Sequence, residues 1–173
     1  SKTGKTVAVI SSGDAGVYGM AGLVLELADG EEVKTVPGVT ASTAAAAVLG
    51  APLMHDFCHI SLSDLMTPIE LIYKRVELAA DADFVTCFYN PRSNGRPHYL
   101  QHAFKIMKKY KDGRTPVGIV RNVARDNQEV TICTLDTIDY EKVDMVSIVI
   151  VGNSSTYIQD DKMITKRGYE NKR

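Results

Sequence analysis

Short apolar runs rich in β-branched residues alternate with segments of helical spacing along the N-terminal part of the chain. Residues 6–11 predict a buried strand and residues 17–28 a helix, with a polar, glycine-containing loop between them. Residues 32–36 predict a second strand, and a helix of small residues follows from Thr40 or Ser42 to Leu49. The repeated order of strand, loop and helix is typical of a parallel α/β sheet.

The remaining residues predict a second α/β region. Residues 51–56 show no periodicity and are interpreted as a linker, so the predicted domains are residues 1–54 and 55–173. Strands are predicted over 59–62, 83–89, 117–120, 129–134 and 145–151, and helices over 68–80 and 97–111. The strand over 129–134 alternates apolar and polar residues, which favours antiparallel pairing in that domain. From residue 159 the tail is polar and is expected to fray.

The composition excludes several classes of protein. Among 173 residues, 20 are Lys or Arg and 21 are Asp or Glu, so the formal charge is −1. A protein that binds nucleic acid through phosphates needs a basic excess, and that class is therefore excluded. An apolar share of 45% with 24% charged residues is typical of a globular protein. No apolar run reaches the roughly 18 residues of a membrane span and no secretory signal is recognised, so we expect a cytoplasmic protein without a membrane partner.

Neither the cysteines nor the histidines form a complete metal-binding pattern. Cys58, Cys87 and Cys133 are odd in number and widely spaced, which argues against a disulfide framework and a zinc site. His98 and His102 are four residues apart on a predicted helix, but no Glu stands between them as in HExxH and no third ligand is evident. The sequence predicts no metal site. The lysines that follow on this helix are interpreted as a solvated face, which could also attract a polycarboxylate.

Polar loops rich in Gly, Ser, Thr, Asn and Asp follow the predicted ends of five strands. They cover residues 11–16, 37–42, 90–96, 121–125 and 152–155. Ligands of open α/β sheets bind at the carboxyl edge of the strands, so these loops predict a polar small-molecule cleft. The first loop lacks the spacing of a GxGxxG dinucleotide fingerprint, and the Asp14 carboxylate would repel a pyrophosphate. Neither Ser12 nor Ser42 lies in a G-x-S-x-G nucleophile motif.

Six stretches of the sequence resemble one enzyme family. They read SSGDAGVYGM at 11–20, VPGVTAS at 36–42, HISLSD at 59–64, FYNPRS at 88–93, TPVGIVRN at 115–122 and VGNSST at 151–156. The first two resemble signatures of the tetrapyrrole (corrin/porphyrin) methylases. The other four resemble the subfamily that methylates ring carbon C17 in cobalamin (vitamin B12) biosynthesis, FYNPRS most specifically. The resemblance covers residues 6–169.

The resemblance implies a two-domain tetrapyrrole methylase fold of the α/β class. It implies an N-terminal parallel α/β domain, incomplete in this chain, and a C-terminal α/β domain with a mixed sheet. It also implies a homodimer that binds S-adenosyl-L-methionine between the domains and releases S-adenosyl-L-homocysteine. The family's first strand and GxGPG loop are not found in the sequence, so a leading segment on the order of 60 residues is expected to be missing.

The family motifs and the strand-end loops together suggest the site residues. The expected cofactor-binding residues are Ser12, Gly13, Asp14, Val17, Thr40, Ala41, Asn90, Asn122 and Val123. The expected substrate-binding residues are Arg92, Arg96, Arg121 and Arg125, because a guanidinium binds the carboxylate arms of a tetrapyrrole bidentately. The candidates for acid–base or catalytic roles are His59, Asp64 and Arg92, with His55 as a further polar candidate.

The activity implied is S-adenosylmethionine-dependent C-methylation of C17 of precorrin-3B or cobalt-factor III, with ring contraction. Two alternatives stay open on the sequence. One is methylation at another position of a tetrapyrrole ring or on another acceptor. The other is a catalytically incompetent fragment that only binds the nucleoside cofactor.

Overall fold

In this computed structural model, which describes residues 4–169, the chain divides into two compact units. One unit ends at Thr43 and the other begins at Ala44, so the division falls inside a helix, α2 (Ala41–Leu49). The sequence places the domain boundary later, after residue 54, and that boundary stays a prediction.

The prediction of two strands in the N-terminal unit, over 6–11 and 32–36, is wrong. Residues 4–43 contain helix α1 (Ala21–Leu27), shorter than predicted, and the start of α2, with no strand among them. Val7, Ile10 and Val36 are 70%, 93% and 78% exposed. A strand needs a hydrogen-bonded neighbour for its backbone and cover for its apolar side chains, and the described residues of this unit supply neither.

The C-terminal unit is built on a mixed five-stranded sheet. In chain order, the elements of this unit after α2 are β1 (Gly50–Ala51), β2 (Phe57–Ser61), α3 (Ile69–Asp81), β3 (Val85–Tyr89), α4 (Tyr99–Met107), β4 (Pro116–Arg121), β5 (Glu129–Thr134), a 3-10 turn over Tyr140–Lys142, β6 (Ser147–Val151), β7 (Thr156–Gln159) and β8 (Lys162–Thr165). The sheet order is β2-β3-β6-β4-β5. Strands β2 and β3 are parallel, whereas β6 is antiparallel to both β3 and β4. The predicted mixed sheet is confirmed, and so is the antiparallel pairing of β5.

Helices α3 and α4 cover one face of this sheet. Ile72, Val76 and Ala80, spaced four residues apart on α3, are all buried, as the helical pattern predicts. On α4, Phe104 is fully buried and its ring centroid lies 6.1 Å from that of Phe88 on β3. Strands β2, β3 and β4 run in the same direction and β6 runs in the opposite one. The carboxyl ends of β2, β3 and β4 therefore share one edge of the sheet with the beginning of β6.

A three-stranded sheet, β1-β8-β7, replaces the expected frayed tail. Thr165 on β8 is buried, and its hydroxyl donates to the Pro52 carbonyl at 2.6 Å and lies 2.8 Å from the Thr156 hydroxyl. The polar composition of the tail predicted fraying, but the threonine hydroxyls form their hydrogen bonds inside the unit. Across residues 4–169, no helix combines the length and the apolar character needed to cross a bilayer.

Candidate functional site

Two asparagines turn the chain sharply at the carboxyl edge of the five-stranded sheet. Asn90 directly follows β3 and Asn122 directly follows β4, with φ angles of 51° and 50°. Asparagine tolerates this left-handed conformation better than most residues. The Asn90 side-chain amide donates to the hydroxyl of Ser61, the last residue of β2, at 2.9 Å. The Asn122 main-chain N–H donates to the Val146 carbonyl at 3.1 Å, just before β6. Both predicted cofactor residues therefore lie at this edge.

In the N-terminal unit, Asp14 joins two predicted cofactor loops. One carboxylate oxygen accepts from the Gly16 N–H and the other from the Gly38 N–H, each at 2.8 Å. These hydrogen bonds, that from Gly38 foremost, lower the pKa of Asp14. A side chain at Gly38 would collide with the Gly13 carbonyl, so the loops approach each other closely only because residue 38 is glycine. Gly13 itself has a φ of 72°. Asp14 thus shapes the loop that carries Ser12, Gly13 and Val17.

Two of the predicted substrate arginines are bound to carboxylates of the protein itself. Arg92 donates to the Tyr140 carbonyl at 2.6 Å and to both carboxylate oxygens of Glu141 at 3.0 and 2.9 Å. Arg121 donates to Asp144 at 2.6 Å, and this hydrogen bond raises its pKa. Burial tends to raise the pKa of Asp144, but the bonds from Arg121 and from Ser147 outweigh it and lower the pKa.

The other two arginines differ in environment. Arg96 donates to the Leu62 carbonyl at 2.8 Å and lies 3.8 Å from Asp64. Its side chain is only 11% exposed, which points to a role in holding the loop after β2. Arg125 lies in an exposed turn after β4. Only Arg125 of the four therefore faces solvent along most of its length.

The segment over residues 139–146 was missed by sequence reasoning. It supplies Tyr140, Glu141 and Asp144 to the arginines at the edge of the sheet. The sequence shows an acidic stretch just before the last core strand. This stretch reaches the arginines only because β6 runs antiparallel to β3 and β4, which brings the beginning of β6 to this edge.

The same strand direction corrects another expectation. The loop over 152–155 follows the end of β6 and therefore lies at the opposite edge. Gly152 N–H donates to the carbonyl of Pro116, the first residue of β4, and Ser154 bonds to Asp83, just before β3. This loop does not join the other strand-end loops.

The catalytic candidates have separate surroundings. His59 lies within β2, with its ring centroid 5.4 Å from that of Tyr89, and burial lowers its pKa. Asp64 accepts a hydrogen bond from the Tyr99 hydroxyl at 2.8 Å, which raises the pKa of Tyr99. The structure thus pairs Asp64 with Tyr99 and Arg96, and Arg92 with the 139–146 segment. His55, outside the sheet, accepts from the Asp56 N–H at 3.0 Å.

The described residues include no group of three or more His, Cys, Asp or Glu arranged to hold a metal ion. The polar groups at the sheet edge are instead amides, hydroxyls, main-chain groups and paired arginines. Such groups suit an organic ligand with hydrogen-bonding and carboxylate functions.

Comparison with known families identifies the family of this chain. The model of the tetrapyrrole (corrin/porphyrin) methylases matches residues 1–139. The chain belongs to the tetrapyrrole methylase family. The strand-end loops and the mixed sheet described above are therefore features of a tetrapyrrole methylase.

Two relatives of this tetrapyrrole methylase have names that specify a reaction. A probable cobalt-factor III C(17)-methyltransferase from Salmonella typhimurium is 58% identical over 172 residues, covering 97% of this chain and 71% of that protein. A precorrin-3B C(17)-methyltransferase from Sinorhizobium sp. is 40% identical over 178 residues, covering 96% of this chain and 70% of that protein.

Solved structures of methyltransferases share the fold of this chain. The crystal structure of the methyltransferase CobJ has a TM-score of 0.90 and 37% identity, covering 95% of this chain and 72% of that one. A uroporphyrin-III C-methyltransferase from Thermus thermophilus, complexed with S-adenosylhomocysteine, has a TM-score of 0.57 and 22% identity, covering 81% and 62%. The second likeness shows the fold alone.

Proposed function

We propose that this protein transfers a methyl group from S-adenosyl-L-methionine to C17 of cobalt-factor III in cobalamin biosynthesis, with contraction of the ring. The observation that carries the proposal is the 58% identity, along almost the whole chain, to the relative named for that reaction. The relative named for precorrin-3B supports the same ring carbon on another acceptor, and its lower identity favours the cobalt-containing substrate.

The residues at the two sets of loops fit the cofactor. S-adenosyl-L-methionine supplies an electrophilic methyl group and leaves as a neutral thioether. In the N-terminal unit, the hydrogen bonds of Asp14 fix the loop of Ser12, Gly13 and Val17 beside the loop that leads to Thr40 and Ala41. The main-chain groups of these small residues are accessible hydrogen-bonding partners for a nucleoside or an amino acid group.

In the C-terminal unit, the residues proposed to bind the cofactor are Asn90, Asn122 and Val123. The bond from Asn90 to Ser61 fixes the orientation of its amide, and the left-handed turns at both asparagines present main-chain groups at the edge of the sheet. These neutral, oriented groups match the adenosine and amino acid portions of the cofactor better than they match a phosphate.

The arginines at the edge of the C-terminal sheet are proposed to receive the carboxylate arms of the macrocycle. Arg92 is the first choice because its partner Glu141 has a side chain that is 81% exposed, so a substrate carboxylate could replace it without unpairing a buried charge. Arg121 and Arg125 follow on the next strand-end loop. Arg96 is proposed as a positioning residue because its side chain is nearly buried, donates to the Leu62 carbonyl and lies close to the Asp64 carboxylate.

Methyl transfer to carbon depends chiefly on alignment. The sulfur–methyl bond breaks as the carbon–methyl bond forms, so donor and acceptor must lie in line, and rigid loops supply that geometry. Ring contraction also moves protons. We propose His59 as a proton acceptor, and burial, which lowers its pKa, favours the neutral imidazole that this role needs. Asp64 is held in one orientation by Tyr99 and is the second candidate.

The proposal is tested by comparing kcat/KM for cobalt-factor III and precorrin-3B under anaerobic conditions. We expect the cobalt-containing substrate to be preferred. A preference for uroporphyrinogen III or another precorrin would assign the protein to a different step. A homodimer remains part of the proposal, and light scattering of the purified protein would measure the subunit number.

A further inference from the structure

A groove of about 460 Å³ lies between helix α4 and the 3-10 turn at Tyr140. The groove belongs to the C-terminal unit. It is lined by side chains of α4, by the residues that flank this helix at each end, and by Tyr140. The lining residues are His98, Gln101, His102, Lys105, Lys108 and Tyr140. A volume of this size falls within the roughly 300–1,000 Å³ of small-molecule sites.

The lining is chemically one-sided. All six side chains carry a hydrogen-bond donor, two of them are ammonium groups, and none is a carboxylate. Asp136 reaches the Lys108 ammonium at 2.8 Å, but it does not line the groove. An open groove lined by donors and two ammonium groups, without a carboxylate in its lining, favours a ligand with several negatively charged oxygens.

Contacts outside the groove hold three of these side chains in place. The ring of His102 lies 4.4 Å, between centroids, from that of Tyr73 on α3. The Tyr140 ring packs edge-on against Phe104 at 6.0 Å, and the ion pair with Asp136 restrains Lys108. Side chains that are restrained in advance lose less conformational entropy when a ligand binds, which favours binding at this exposed helix face.

We propose that this groove binds a multiply charged oxyanion. The shared chemistry is a cluster of anionic oxygens, which either the carboxylate arms of a tetrapyrrole or a free phosphate group would supply. A divalent metal is disfavoured because two ammonium groups share the lining with His98 and His102. Among residues 4–169, no third His, Cys, Asp or Glu completes a metal-binding group with these two histidines.

Calorimetric titration of the full chain with inorganic phosphate and with citrate, at low ionic strength, tests the proposal. Lys105→Gln removes a charge from the groove, and Lys109→Gln, the matched control, removes the same charge from an exposed position just after α4 that does not line it. We expect Lys105→Gln to weaken anion binding about fivefold to tenfold and Lys109→Gln to leave it nearly unchanged.

Tighter binding of citrate would favour a polycarboxylate as the ligand, and tighter binding of phosphate would favour a phosphate group. Equal weakening by both variants would mean a diffuse electrostatic effect and would overturn the proposal. So would the absence of binding, or binding of Zn²⁺ by the wild type without any anion binding. None of these readouts uses methyl transfer, so the result is independent of the proposed function.

Discussion

Asp14 places its two carboxylate oxygens on the main-chain N–H groups of Gly16 and Gly38. Asparagine at this position could accept only one of these hydrogen bonds, because its NH₂ group is a donor. We therefore expect Asp14→Asn to weaken binding of S-adenosylhomocysteine several-fold through loss of loop geometry. Calorimetry would measure the effect, with Asp29→Asn, in an exposed turn of the same unit, as the control. An unchanged dissociation constant would remove Asp14 from the cofactor site.

Arg92 is the residue on which the substrate proposal depends most. Its planar guanidinium spans the Tyr140 carbonyl and both oxygens of Glu141, a pattern that a lysine cannot reproduce. Arg92→Lys is expected to raise the KM of the tetrapyrrole and to leave the affinity for S-adenosylhomocysteine unchanged. A variant that loses cofactor affinity but keeps its KM would reverse the assignment.

Glu141 provides the complementary test. If a substrate carboxylate replaces Glu141 on the Arg92 guanidinium, then Glu141→Gln weakens the internal competitor and should lower the KM of the tetrapyrrole. Lys142→Gln, in the same exposed turn, is the control. A raised KM in the Glu141 variant would show that the pair serves to hold the turn, not to receive substrate.

At the scale of elements, one ion pair connects the beginning of β3, the end of α4 and the loop after β6. The Lys111 ammonium, with only 2% of its side chain exposed, lies 2.9 Å from Asp83, which also accepts hydrogen bonds from the main chain and hydroxyl of Ser154. Asp83 adopts a φ of 56°, a conformation that Asn also tolerates.

Asp83→Asn therefore removes the charge with little change in backbone preference. Losing one partner of a buried pair costs roughly 3–5 kcal/mol. Because Asp83 is 42% exposed, we expect a smaller loss, about 2–3 kcal/mol, in the free energy of unfolding measured by urea denaturation. Asp112→Asn, which breaks the exposed pair with Arg114, should have no measurable effect.

The pH dependence of this loss follows from the pKa of Asp83. Burial tends to raise it, but the hydrogen bonds from Ser154 and Lys111 outweigh burial and lower it below its ordinary value. A carboxyl with a lowered folded pKa stabilises the fold above about pH 4, and that contribution disappears as the pH falls through the folded pKa. The difference between wild type and Asp83→Asn should thus be full at pH 7 and shrink in acid. A constant difference would contradict this origin.

Elements whose pattern was supported by local packing were predictable. The buried positions Ile72 and Val76 of α3 and the fully buried strands β3 and β6 were recognised from periodicity and β-branched content. Two classes of element were not. The runs over 6–11 and 32–36 have strand composition, but residues 4–43 form no strand that could pair with them. The strands β7 and β8 have a polar composition that conceals hydrogen bonds inside a sheet.

At the scale of the whole molecule, the two units should differ in stability. Residues 5–39 contain a single short helix and many exposed apolar side chains, whereas β3, β4 and β6 form the centre of a covered sheet. Hydrogen exchange should be faster for amides of 5–39 than for those of the three strands, which open only in near-global unfolding. Equal protection in both units would contradict this account.

The candidate site was predictable to the level of loops. The loops that carry Asn90 and Asn122 were expected at one edge because parallel strands bring their carboxyl ends together, and they lie there. The arginine partners Glu141 and Asp144 were not expected there, since the direction of β6 is set by tertiary pairing with β3 and β4. The same missing information placed the 152–155 loop at the wrong edge.

The most direct test of the central claim is to follow a ¹³C-labelled methyl group from S-adenosyl-L-methionine into cobalt-factor III with the purified protein. The position of the label in the product is then read by NMR. The account predicts a single labelled methyl at C17 of a ring-contracted macrocycle. A label at another ring carbon, or no transfer by protein that binds S-adenosylhomocysteine, would contradict it.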